Sequence, residues 1–273
     1  MIHFRCPVCG LALERSERSL RCAAGHSYDL AKQNYVNLLM RNQSSSKRHG
    51  DDRRMVNARS EFLDGGWYEC LRDALCALAV KYCGESVDML DAGCGEGYYT
   101  SAVRSALVSA GKRCGAAGID ISRTALIAAA RRDGALRLAV AGVNRLPVDD
   151  ASCDLLRNVI APEDSAEFLR VLRPGGVLLK AVPGEKHLFG LKAAVYERPY
   201  LNPAPKSAPY GFTLQERADV GGRITVFPRR QIENLFMMTP YYYKTCAEDQ
   251  AKLAALDELE TELEFTVFAL QKN

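Results

Sequence analysis

The stretch from Val87 to Tyr99, VDMLDAGCGEGYY, constrains the fold of this chain more than any other. A short apolar run, Val87, Met89 and Leu90, ends in Asp91 and opens into Gly93, Gly95 and Gly97, after which Tyr98 to Val108 has helical spacing. The pattern predicts a strand, a tight glycine turn and a helix. Glycines at alternate positions let the backbone take positive φ and bring its N–H groups close to a ligand that a Cβ would push away.

The spacing narrows the ligand. A dinucleotide fingerprint needs G-x-G-x-x-G, with its third glycine at the helix start. Here the order is D-x-G-x-G-x-G, and a second acid follows one strand later, Asp120 in AAGIDISRTAL. At that place a carboxylate accepts both hydroxyls of a ribose. Pyrophosphate favours uncrowded N–H groups, whereas a carboxylate at a strand end suits a cationic or amine-bearing ligand. The two acids together resemble the S-adenosylmethionine site of a class I methyltransferase, with Asp91, Gly93, Gly95, Gly97, Asp120 and Ile121 as its residues. A glycine turn in some other α/β protein is the plain alternative.

At 273 residues, 48% hydrophobic and 25% charged, the chain is long enough for one α/β domain plus a small extra one. No apolar run approaches the ~18 residues of a span, and the N-terminus lacks the pattern of a signal peptide. The expectation is a cytoplasmic protein with no membrane partner. Cys70, Cys76, Cys83, Cys114 and Cys153 sit singly in apolar patterns and read as reduced core fillers, as does Cys94 inside the glycine turn. Net charge is +3, but residues 1 to 60 carry 11 Lys and Arg against 5 Asp and Glu, leaving 25 against 28 in the rest. A basic appendage on a near-neutral domain points to a polyanionic substrate, most economically a nucleic acid. A solvated basic surface would give the same balance.

The appendage carries its own signal. Cys6 and Cys9 flank Pro7, and Cys22 and His26 follow as C-x2-C-x12-C-x3-H, with Gly10 and Gly25 shaping the turns. Four such ligands from two turns suit tetrahedral zinc, and four protein ligands close the site to water, so the metal is structural. A segment this short needs the metal in order to fold. A reduced, metal-free pair of turns is the competing reading.

The organisation expected is a zinc-binding domain at 1–40, a basic linker at 41–60 and a methyltransferase domain at 61–273. In the linker, Lys47, Arg48, Arg53, Arg54 and Arg59 are candidates for phosphate contacts, and Met55 to Leu63 is helical. After the glycine turn, strands at 116–121, 136–141, 154–160 and 177–182 alternate with helices at 123–132 and 165–172, as in a doubly wound fold. Asn144 to Leu146 would lie near an adenine edge. An amphipathic helix at 251–262 precedes a last antiparallel strand, EFTVFALQ. Period two in MTPYYYK would put Tyr241 and Tyr243 on one face.

The zinc segment, NYVNLL, GDDRRMVNARSEFLDGGWY, LDAGCGEGYYT, IAP followed by RVLRPGG, PGEKHL, GFTL and MTPYYYK resemble the zinc-containing 23S rRNA guanine-N1 methyltransferases, in order and over essentially the whole chain. Asn34 departs from the glycine common there. The resemblance implies a Rossmann-like class I methyltransferase with an N-terminal zinc ribbon, S-adenosylmethionine and structural zinc as cofactors, and 23S rRNA as partner. It also implies a homodimer. Its two subgroups methylate neighbouring guanines of one hairpin near the peptide exit tunnel, one of them including macrolide-resistance enzymes. Carried over by position, it implies zinc at Cys6, Cys9, Cys22 and His26, and cofactor contacts at Tyr68, Gly95, Glu96 and His187.

Guanine N1 carries a proton, so the base must be unpaired and the proton accepted. His187, Glu163 and Asp164 are the candidate acceptors, and Asn158 would hold a base edge or the cofactor. Helix N-terminal charge accounts equally well for Glu163 and Asp164. A small-molecule methyltransferase with a merely stabilising zinc module is the second function class. A binding protein without catalysis is the third.

Overall fold

The computed structural model describes residues 2–40, 50–206 and 209–273; Lys47 and Arg48 lie outside the described residues. Residues 2–40 turn on two tight knuckles. The Gly10 amide donates to the Cys6 carbonyl at 2.8 Å and the Gly25 amide to the Cys22 carbonyl at 2.9 Å. Both glycines sit at positive φ, +74° and +86°, where a side chain would be strained. Strands β1 (Glu14–Ser16), β2 (Ser19–Arg21) and β3 (Ser27–Asp29) make a small antiparallel sheet between and beyond them.

The next strand, β4 (Tyr35–Asn37), leaves that sheet. It joins the edge of a second one built from β5 (Ser86–Ala92), β6 (Arg113–Asp120), β7 (Arg137–Val140), β8 (Cys153–Val159), β9 (Leu172–Pro183), β10 (Phe212–Val226) and β11 (Leu259–Lys272). The order is β10-β11-β9-β8-β5-β6-β7-β4. Six strands run parallel, and β10 and β11 add an antiparallel pair at the far edge.

Strands buried on both faces read as continuous apolar runs, and these do. Met89, Leu155 and Leu179 belong to one core cluster, while their neighbours Leu90, Leu156 and Leu178 belong to another on the opposite face. The first face is covered by α2 (Glu69–Tyr82), α3 (Tyr98–Ser109) and α4 (Arg123–Arg132), which contribute Leu71, Leu75, Val103, Leu107 and Leu126. The second face is covered by α5 (Ser165–Val171) together with Ile2, Phe4 and Leu13 of the N-terminal module. The module and the sheet therefore share one core.

Helix α1 (Arg53–Asp64) begins inside the stretch read as linker. Asp52 caps it, accepting from the Arg54 and Met55 amides at 2.8 and 3.0 Å. The chain is completed by α6 (Phe189–Val195), α7 (Arg229–Met237) and α8 (Ala247–Leu253). The helix expected at 251–262 is corrected: α8 ends at Leu253 and β11 begins at Leu259. The reason is the alternation in Leu259-Glu-Thr-Glu-Leu-Glu-Phe265, whose odd positions are buried, and pairing with β10 along the whole strand outweighs helical propensity. The tyrosine stretch is a 3-10 turn, Tyr242–Lys244, so the two-residue face does not form. Among the described residues no helix is long and apolar enough to cross a membrane.

Candidate active site and zinc cluster

The ligand atoms of Cys6, Cys9, Cys22 and His26 all lie within 4.8 Å of one another. His26 presents Nδ1, at 3.6 Å from the Cys6 sulfur and 3.4 Å from that of Cys22. Burial works against ionisation of the Cys6 thiol, but the Tyr28 hydroxyl, 3.1 Å from its sulfur, and nearby backbone amides bring it down to about 6. Three thiols and one imidazole in this arrangement fit zinc and leave no ligand position open. Tyr28 was not legible as part of this cluster from spacing alone.

The glycine turn forms the floor of a cavity of about 760 Å³ at the carboxyl end of the parallel strands. Gly93, Gly95 and Gly97 all take positive φ. A Cβ on Gly93 would stand 2.6 Å from the Ala161 Cβ, while one on Gly95 would meet nothing nearer than the Arg59 guanidinium at 4.0 Å. The turn is thus clamped at Gly93 and open at Gly95. Asp120, at the end of β6, accepts from the Gly95 amide at 3.0 Å and the Ser122 amide at 2.8 Å. Burial raises the Asp120 and Glu96 carboxyls above their ordinary values; the backbone amides oppose this at Asp120 and the Arg59 charge at Glu96. Glu96, Asp120, Ile121, Asn144, Tyr68 and His187 line the cavity as expected.

Three expected contacts do not. Asp91 faces beneath the turn, where its carboxylate accepts from the Thr100 hydroxyl at 2.5 Å and pairs with Arg157 at 2.9 Å. Both side chains of that pair are buried, so Asp91 fixes the start of α3 from below. Gly97 packs against Ala129. Leu146 is buried, and its amide donates to Glu167 at 2.6 Å.

The roof comes from distant segments. His187 Nδ1 accepts from the Glu264 amide at 3.2 Å, and Nε2 lies 3.4 Å from the Tyr68 hydroxyl. A backbone amide only donates, so the ring proton sits on Nε2. Burial, with a lesser push from the Lys192 charge, lowers this imidazole to about 3. With Nδ1 occupied and Nε2 carrying the proton toward the Tyr68 hydroxyl, the ring is placed to donate rather than to take a proton. Glu163 is exposed and ion-paired with Lys180, outside the cavity lining. Asp164 caps α5 by accepting from the Glu167 amide. Asn158 lies under the wall, donating to the Ala92 and Pro162 carbonyls at 3.0 and 2.9 Å.

Arg59 is likewise reassigned, since it enters the cavity and pairs with Asp51. Arg53 and Arg54 remain exposed. Sequence reasoning missed Tyr99, Ile160, Asn202, Met238 and Tyr241, which all line the cavity. The Tyr99 hydroxyl is buried without a hydrogen-bond partner among the described residues and lines the cavity, where a ligand could pair it. With the open Gly95 and the Asp120 carboxylate, it gives the cavity a set of polar groups that fits S-adenosylmethionine.

Two family profiles match the chain, one described as RlmA, N-terminal, over residues 4–47 and one as methyltransferase domain over residues 89–176. A Micromonospora griseorubida protein provisionally named 23S rRNA (guanine-N(1)-)-methyltransferase is 36% identical over 282 residues, covering 94% of this chain and 92% of that one. The chain belongs to the 23S rRNA (guanine-N1-)-methyltransferase family. The 23S rRNA (guanine(748)-N(1))-methyltransferase of Streptomyces fradiae is 37% identical over 196 residues, 71% of this chain and 68% of that protein. YxjB of Bacillus subtilis is 34% identical over 210 residues, 74% and 73% of the two chains. As a member of this family the protein is an S-adenosylmethionine-dependent methyltransferase with a zinc ribbon.

Proposed function

We propose that this protein methylates N1 of one guanine in the 23S rRNA hairpin near the peptide exit tunnel. The observation that carries this reading is the connection of the cavity to a second cleft bordered by Asn37 and Leu39 at the end of β4, the start of α1, and Tyr243. A small substrate needs only the first cavity. An RNA strand needs the second, beside a basic N-terminal module and with Arg53 and Arg54 exposed at the start of α1.

S-adenosylmethionine supplies a methyl group whose bond to sulfur breaks with the electron pair remaining on sulfur, while guanine N1 forms the new bond and loses its proton. The residues here mainly align and enclose. Asp120 and Asn144 hold the nucleoside end; Tyr68 and the Nε2–H of His187 close one side against water. His187, whose Nδ1 is occupied, and Glu163, ion-paired with Lys180 outside the cavity lining, are poorly placed to take that proton.

An rRNA substrate would place this role in the cytoplasm. Because the family this chain resembles includes macrolide-resistance enzymes, macrolide susceptibility is a phenotype to examine. The test is tritiated methyl transfer to unmodified 23S rRNA and its fragments, with primer extension to map the product. A reverse-transcription stop at one guanine supports the reading. Absence of transfer to every rRNA form, with cofactor binding intact, contradicts it.

A further inference from the structure

Ile160 takes φ +50°, a left-handed conformation that a β-branched side chain adopts only under strain. Such strain persists where the surroundings impose it, and here they do. The Ile160 amide donates to the Ala181 carbonyl at 2.9 Å. Asn158 pins the same turn through the Ala92 and Pro162 carbonyls. Ala161 fills the place against which Gly93 must lack a Cβ. The turn after β8 is therefore locked onto the glycine turn, with isoleucine at its strained tip.

The strain secures no core packing, because Ile160 is 48% exposed. Its side chain instead lines both the cofactor cavity and the neighbouring cleft. Leu39, Met238 and Pro240 share that neck, as does the Arg59–Asp51 ion pair. An apolar floor with one donor and one acceptor beside it matches a purine, flat and apolar on its faces and polar along one edge. The guanine edge carries the O6 acceptor on one side of N1 and the amino donor on the other, so a guanidinium and a carboxylate can hold the base by those two groups and leave N1 to face the methyl group.

We propose that this neck is the slot for the methyl-accepting guanine base, and that Ile160 is the platform on which the flipped base lies. This deepens the rRNA reading and rests on it. A strained apolar tip next to the glycine turn brings the base to the cofactor without a lid, since the platform is already fixed when RNA arrives.

The proposal predicts opposite signs for stability and activity. Glycine and asparagine both tolerate left-handed φ, so Ile160→Gly and Ile160→Asn relieve the strain while removing the platform. Both variants are expected to unfold at the same or higher urea concentration than the wild type and to bind S-adenosylmethionine within twofold of it. Each is expected to lose at least tenfold in kcat/KM for the 23S rRNA fragment. Two variants losing stability would make Ile160 a structural residue and overturn the proposal. Unchanged kcat/KM for RNA would overturn it too, with the rRNA reading intact. A wild-type chain that methylates no rRNA in the same assay would remove that reading and the slot together.

Discussion

The floor of the cavity comes from one run of chain, Gly93 to Tyr99, with Asp120 on the adjoining strand, whereas the roof gathers Arg59, Tyr68, His187, Asn202 and Met238 from separate stretches. The floor is shaped by backbone: positive φ at three glycines, amides turned to a carboxylate, and a buried pair beneath. The roof is shaped by side chains that meet only after the sheet has assembled. Tyr68 packs edge-on against Phe62 and Phe265, and Phe265 also lies against His187, with ring centroids 5.3, 4.9 and 4.4 Å apart. A local floor tolerates change in the roof. A roof hung on long-range contacts does not tolerate loss of the sheet.

The largest effect that would test this contrast lies under the floor. Arg157→Met strands the Asp91 carboxylate in a buried site, and breaking such a pair costs about 3–5 kcal/mol. Adding Asp91→Asn removes the stranded charge and should recover part of the loss. Urea midpoints of the single and double variants measure both. A cost below about 1 kcal/mol would mean the floor does not depend on this pair.

In the roof, His187 makes stability depend on pH. Its folded-state value, about 3, lies below the ordinary 6.5, so the unfolded chain binds a proton that the native chain refuses. Stability therefore falls as pH drops from about 6.5 toward 3, by up to ~1.4 kcal/mol per unit from this residue. His187→Gln should flatten that slope by the same amount in denaturation series from pH 7 to pH 4. An unchanged slope would place the imidazole in contact with solvent.

A smaller effect is expected at Tyr99. Removing its unpartnered hydroxyl by Tyr99→Phe should leave the ligand-free chain equally or more stable and weaken S-adenosylmethionine binding by roughly tenfold, ~1.4 kcal/mol. Equilibrium dialysis with thermal denaturation reads both. Cofactor affinity unaltered by the change would place the ligand away from the Tyr99 hydroxyl.

The contrast also explains what could be read in advance. Cys6, Cys9, Cys22 and His26, and the floor residues Gly93, Gly95 and Asp120, follow from spacing because each depends on neighbours a few residues away or on one adjacent strand. Asp91 misled because an acid beside a glycine turn looks the same whether it faces a ligand or a buried arginine, and Arg157 sits 66 residues on. Arg59 looked like a phosphate contact because its sequence neighbours are basic, yet the turn of α1 points it inward to Asp51. Glu264 meets His187 only through the final strand, so neither the tautomer nor the loss of its basicity has a sequence signature. Ile160 is hidden for a different reason: an isoleucine after a strand promises core, and only the backbone angle reveals otherwise.

The central claim is that the floor around Asp120 holds the cofactor independently of RNA, and calorimetric titration of S-adenosylhomocysteine into the RNA-free protein tests it most directly. The wild type should bind one equivalent per chain. Loss of the charged acceptor in Asp120→Ala should weaken binding about 10–100-fold while near-ultraviolet dichroism shows the fold retained. Equal affinity in the two proteins would contradict the claim and place the cofactor away from the glycine turn.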